Sequence, residues 1–162
     1  MKLANGDLLQ LSPGKHNELQ AAVIEEMGPR FAPGAEVLYL GDTASKYVVC
    51  ETERFETLGI SIATHDKLPD LVLHDREANW LFLIEAVTTH GPISEKRHVE
   101  LQRMFESCPL GQVYVTAFLT RSDFRKYAAD IAWETEAWIA DNPGHMVHFN
   151  GPKFLGPYPD SV

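Results

Sequence analysis

Two carboxylates stand out in the stretch LPDLVLHDREANWLFLIEAVTTHGP, residues 68–92. Asp70 precedes one short apolar run, and Glu85 sits inside another, WLFLIEAV. A carboxylate among apolar neighbours is costly unless a cation or hydrogen bonds compensate it. The two runs flank the polar turn DREAN and read as a β-hairpin. If residue 74 faces 80 or 81 across that turn, Asp70 faces Ile84 or Glu85. Side chains alternate along a strand, so Asp70 shares a face with Val72 and His74, and Glu85 shares one with Leu81 and Leu83. Like charges so close repel, and the pKa of one should rise. A divalent cation bridging them removes both problems. Mg²⁺ takes one or two carboxylates together with waters and phosphate oxygens. The pair therefore points to metal-assisted phosphate chemistry.

Such a pair must be held by a frame, and the rest of the chain supplies its parts. The stretch LSPGKHNELQAAVIEEMGPRF predicts a helix opened by Ser12-Pro13 and stopped by Gly28-Pro29, with His16, Leu19, Val23 and Met27 near one face. AEVLYLGDT and KYVVCE read as a first hairpin around GDTAS, and PDLVLH with NWLFLIEAV as the second. Pro92 and Ser94 open the helix SEKRHVELQRMFESC, whose stripe is Leu101, Met104, Phe105 and Cys108. GQVYVTAFLT is a buried strand and GHMVHFN a last short one. Between them, RSDFRKYAADIAWETEAWIAD reads as an amphipathic helix or a broken pair, with Trp133 and Trp138 packing on the core from it. Trp80, at the start of its strand, is a core residue too. The order α-β-β-β-β-α-β-α makes an α/β fold, a mixed β-sheet flanked by helices.

The 162 residues suit one domain, and 44% hydrophobic with 23% charged is ordinary for a globular chain. No apolar run approaches the ~20 residues needed to cross a bilayer. MKLANGDLLQLSPG has neither the basic segment nor the continuous apolar stretch of a signal peptide. Cys50 and Cys108 lack metal-site spacing and are expected as buried free thiols in a reducing cytoplasm. A net charge of −9 argues for weak or partner-assisted DNA binding rather than a tight autonomous grip.

The stretches LSPGKHNELQ, APGAEVLYLGDT, LPDLVLHDREANWLFLIEAVTTHGPISEKRHVEL and VYVTAF together resemble the BsuBI/PstI restriction endonuclease family, within the PD-(D/E)xK nuclease superfamily. The resemblance implies a restriction-endonuclease-like fold and Mg²⁺-dependent hydrolysis of phosphodiesters in double-stranded DNA, with Mn²⁺ as a substitute. It implies that Asp70 and Glu85 hold the metal, with the Ala86 backbone carbonyl as a further ligand and Glu18 of the first helix as a lesser candidate. A palindromic target, CTGCAG, goes with the family, and a two-fold homodimer goes with a palindrome.

One feature departs from the superfamily: EAV stands where E-x-K is expected, and Val87 offers no cation. Lys96 is the nearest replacement and Arg97 its rival, sharing a side of the helix with Leu101 and Phe105, while His90 is a third option. An arginine stabilises charge but carries no proton. Thr88, Thr89 and His90 after the metal strand, and Lys15 and His16 on the first helix, are candidate DNA contacts. Asp42 and Lys46 flank the GDTASK turn and are explained first by turn chemistry.

The expected organisation is an N-terminal extension 1–11, a nuclease domain 12–150 and a tail 151–162. Relatives carry a further N-terminal region ahead of the nuclease domain, so target recognition is not carried over. The alternatives are a defence or repair nuclease targeted by a partner protein, or a catalytically silent DNA- or protein-binding domain. Two retained buried acids argue against silence.

Overall fold

A computed structural model describes residues 1–44, 47–62 and 67–152. Its centre is a seven-stranded sheet ordered β2-β1-β3-β4-β5-β6-β7. The strands are β1 Glu36–Gly41, β2 Tyr47–Cys50, β3 Leu71–Asp75, β4 Trp80–Val87, β5 Gly111–Phe118, β6 Glu136–Ile139 and β7 Met146–His148. β1 to β4 pair antiparallel, β5 joins β4 and β6 joins β5 in parallel, and β7 returns antiparallel. Parallel neighbours require a crossover. α4 (Glu95–Met104) lies in the first and α5 (Arg121–Tyr127) in the second. The mixed sheet between helices is the architecture the sequence predicts.

Helices cover both faces of the sheet. α1 (Lys15–Ala22) and the π-helical turn Val23–Met27 bring Leu19, Val23 and Met27 against Leu71, Leu73, Ile84 and Ala86. On the other face α3 (Thr52–Thr57) gives Phe55, and α4 gives Leu101, to a cluster with Phe105, Val72, Leu81 and Leu83. The alternation of β3 and β4 sorts their side chains between these two layers. Phe105→Ala is expected to cost about 3–5 kcal/mol of unfolding free energy, read from urea denaturation, because it removes the side chain that seats α4 on β3 and β4.

Three expectations are corrected. The first helix does not stop at Gly28-Pro29 but continues as α2 (Gly28–Phe31) after the π-helical turn. Pro29 occupies the first turn of α2, where its missing N–H costs nothing. At the C-terminal end, the long helix ends with α5 and the 3₁₀ turn Ala128–Asp130, and β6 follows. All four residues of β6 are buried, so both faces of the strand are covered and EAWI lacks a strand's usual alternation. Its one acid, Glu136, lies 2.6 Å from His148 Nδ1 on β7, a partner that local spacing cannot reveal. Trp138 lies on that strand in the core, whereas Trp133 is in no helix and is 60% exposed. α3 was not foreseen, since TERFET is polar and buries only Phe55.

Trp80 is half-buried at the start of β4, edge-on to Phe82. Both cysteines are free; Cys108 is buried as expected, but Cys50 is only half-buried. Residues 1–11 fold back through a Lys2–Leu8 bridge, with Leu3, Leu9 and Leu11 against the core. Lys46 and residues 153–162 of the tail lie outside the described residues. No helix among the described residues is long and apolar enough to cross a membrane.

Candidate active site

The second hairpin closes in the register expected from its turn. Asp75 pairs with Trp80, His74 with Leu81 and Leu71 with Ile84, so the next step sets Asp70 beside Glu85. The turn is fixed by Asp75 Oδ1 accepting the Ala78 N–H at 3.1 Å and by Asn79 in the left-handed region, at φ 57°. Because β3 begins at Leu71, strand alternation does not bind Asp70 to the face of Val72 and His74. It stands at the rim of the sheet and is reached from two sides. Its Oδ2 accepts the Ala86 N–H at 2.7 Å, and its Oδ1 lies 3.5 Å from His16 Nε2 of α1.

Glu85 points to the opposite layer, where Arg97 of α4 meets it. Arg97 Nε and Nη2 each lie 2.8 Å from Glu85 Oε1, and Nη2 also donates to the Lys67 carbonyl at 2.8 Å. The two side chains are only 15% and 11% exposed. Arg97 is aimed inward by the same spacing of four that buries Leu101 and Phe105. Its turn is capped by Ser94, whose Oγ accepts the Arg97 N–H at 3.2 Å. Lys96 falls about 100° round the helix and is exposed, as is His90. Val87 belongs to a core cluster with Phe118, Ala137 and Ile139. A lysine there would be buried among apolar groups; the cation that touches Glu85 is Arg97 of α4.

The electrostatics follow from this geometry. Burial first, and then the Asp70 charge, push the Glu85 carboxyl up to about 7, with Arg97 pulling the other way. His16 is raised above its ordinary value by its hydrogen bond to Asp70, against burial and with help from both carboxylate charges. A divalent cation suits this setting. The side-chain donors are oxygens, and the charge of Glu85 is penalised until a cation arrives. Among the described residues no trio of His, Cys, Asp and Glu is set to hold a metal.

Other predicted residues lie nearer or farther. Glu18 is about 200° round α1 from His16, exposed in a groove with Leu8, Pro13 and Asn17, and is not brought to the carboxylates. Lys15 is exposed beside His16, Thr88 is half-buried, and Thr89 is exposed just beyond β4. Asp42 anchors α1: it accepts from Ser12 Oγ at 2.8 Å and from Asn17 Nδ2 at 2.7 Å. Ser12 is thus spent on Asp42 and does not cap the helix.

Two neighbours of the site were missed. Tyr39 is buried on β1, its hydroxyl beside Gly41; burial and then the charges of Cys50 and Asp70 keep the phenol protonated. Gln20 lies four residues after His16, on the same side of α1, and that spacing was the signal available for it.

The family described as BsuBI/PstI restriction endonuclease domain matches residues 1–152. The type II restriction enzyme BsuBI of Bacillus subtilis is 48% identical over 158 residues, covering 98% of this chain and 50% of that protein. The type II restriction enzyme AplI of Arthrospira platensis is 33% identical over 163 residues, covering 96% and 50%. The solved structure of SdaI restriction endonuclease superposes with a TM-score of 0.89 at 50% identity, covering 97% of this chain and 50% of that one. The chain thus spans about half the length of the relatives it matches.

Proposed function

This chain belongs to the BsuBI/PstI restriction endonuclease family, and from that membership we propose that it is a metal-dependent DNA endonuclease of type II restriction character. The observation that carries the reading is Asp70 beside Glu85 at the end of the β3–β4 pair, with Arg97 on the second carboxylate. Asp70 and Glu85 would hold a divalent cation, Mg²⁺ by preference or Mn²⁺, with the Ala86 carbonyl as a backbone ligand. When bound, that cation lowers the pKa of the attacking water and offsets charge gathering on the scissile phosphate.

The chain's own residues do the rest. The Ala86 N–H fixes one Asp70 oxygen and His16 steadies the other. Arg97 fills the role of the absent E-x-K lysine as a source of positive charge; as a guanidinium it stabilises an anion without shuttling a proton. Lys15, Thr88, Thr89 and His90 would meet the DNA backbone. Residues 12–150 form the nuclease unit, which works as a homodimer on a palindromic site in the cytoplasm.

Supercoiled plasmid incubated with Mg²⁺ or Mn²⁺ tests the reading. Discrete fragments are the expected product, and their ends give the site. Metal-dependent nicking or a smear keeps the nuclease and moves target recognition to a partner. No cleavage with either metal overturns the reading in favour of a silent DNA- or protein-binding domain.

A further inference from the structure

Gln20 is fully buried in α1, and its amide is only half satisfied. Its Nε2 donates to the Gly41 carbonyl at 2.6 Å, and that carbonyl partner fixes which end of the amide is nitrogen. Its Oε1 is buried and finds no hydrogen-bond partner among the described residues. A buried acceptor left unpaired is a recurrent cost in a folded chain and calls for an explanation.

The position of Gln20 supplies one. Gly41 N–H, on the far side of the residue that Gln20 grips, donates to the Asp70 carbonyl at 2.9 Å. One turn earlier on α1, His16 reaches Asp70 Oδ1. The helix therefore reaches Asp70 by two routes, and Gln20, which carries the unpaired acceptor, makes the second through its Nε2. Asn17, between them in sequence, is equally buried and also keeps an unpaired Oδ1, but its Nδ2 is committed to Ser12 O, Asp42 Oδ1 and Thr43 Oγ1. Asn17 anchors the helix to the β1–β2 turn. Of the two, it is Gln20 that is linked to the backbone of Asp70.

We propose that Gln20 is a positioning residue of the metal site, its buried Oε1 accepting an O–H from the hydration shell of a divalent cation held at Asp70 and Glu85. The inference rests on the metal-nuclease reading and goes beyond it by assigning the neutral amide of α1 an outer-shell role. The amide does two things at once. Its nitrogen holds Gly41, and through Gly41 the Asp70 backbone, in place. Its oxygen gives the incoming hydration shell a fixed acceptor that needs no reorganisation.

Mn²⁺ binding to the full chain without DNA, followed by calorimetry or by the electron-spin resonance of free Mn²⁺, separates this from a purely structural role. Gln20→Met keeps length and packing but has no acceptor; it is expected to weaken binding by about 10–100-fold. Gln20→Glu keeps an acceptor oxygen and loses the donor to Gly41; it is expected to bind at least as tightly as wild type, even with a lowered melting temperature. If Gln20 only braces Gly41, both variants lose affinity together, and the proposal is overturned. Equal affinity in wild type and Gln20→Met overturns it alone. A wild-type chain that binds no Mn²⁺ overturns the proposal, and plasmid cleavage with Mn²⁺ then decides the nuclease reading separately.

Discussion

Glu85→Gln is expected to slow metal-dependent DNA cleavage by about 10³-fold or more while the chain remains folded, and Asp70→Asn to do the same. Several kcal/mol of transition-state charge stabilisation would depend on the cation proposed at these two groups, and each ~1.4 kcal/mol is a factor of ten. The fold survives because the charge of Glu85 burdens the metal-free chain. Its carboxyl is raised from 4.5 to about 7 by burial and by Asp70. A raised carboxyl pKa means that the folded state keeps a proton the unfolded state has already lost. The stabilising contribution is therefore complete below about 4.5 and disappears as pH rises through about 7. Metal-free wild type should lose melting temperature between mildly acidic and mildly alkaline buffer, and Glu85→Gln should lose less. Saturating Mg²⁺ or Mn²⁺ should restore the wild type at the alkaline end and leave the variant unmoved. A Glu85→Gln enzyme cutting plasmid within tenfold of wild type would sink the assignment.

The same pair shows how much of the site was legible. Turn position and strand parity are enough to set Asp70 beside Glu85, since a hairpin's register is local information. Asp70 itself lies one residue outside β3, at the rim, where His16 of α1 also reaches it. The inward aim of Arg97 was also legible, as residues 97, 101 and 105 repeat every four. What was not legible depends on distant partners. β6 reads as helix because burial on both faces removes its alternation and the partner of Glu136, His148, comes from another strand. The grip of Arg97 on the Lys67 carbonyl spans 30 residues and leaves no local trace. Gln20 reads in sequence as one more polar helix residue, because its partner, the Gly41 carbonyl, lies 21 residues away.

Arg97 carries the second large effect. Arg97→Ala is expected to lower kcat by about 10²–10³, the usual loss when one preorganised donor to a developing oxyanion is removed. It also strips Glu85 of its counter-charge, so the comparison belongs at saturating Mn²⁺, where a binding defect no longer contributes. Arg97→Lys should recover part of the loss. A lysine restores the charge, but a single ammonium cannot reproduce the planar fork that spans Glu85 Oε1 and the Lys67 carbonyl. Lys96→Ala removes an exposed cation one position away and should leave the rate within about threefold, as surface changes do. If Lys96→Ala costs more than Arg97→Ala, the site recruits its cation from the solvent side of α4 when DNA binds. The ion pair at Glu85 would then be a feature of the metal-free chain alone. If Arg97→Ala dominates, the family's chemistry runs here with a guanidinium delivered by a helix, in place of an ammonium two residues along the metal strand.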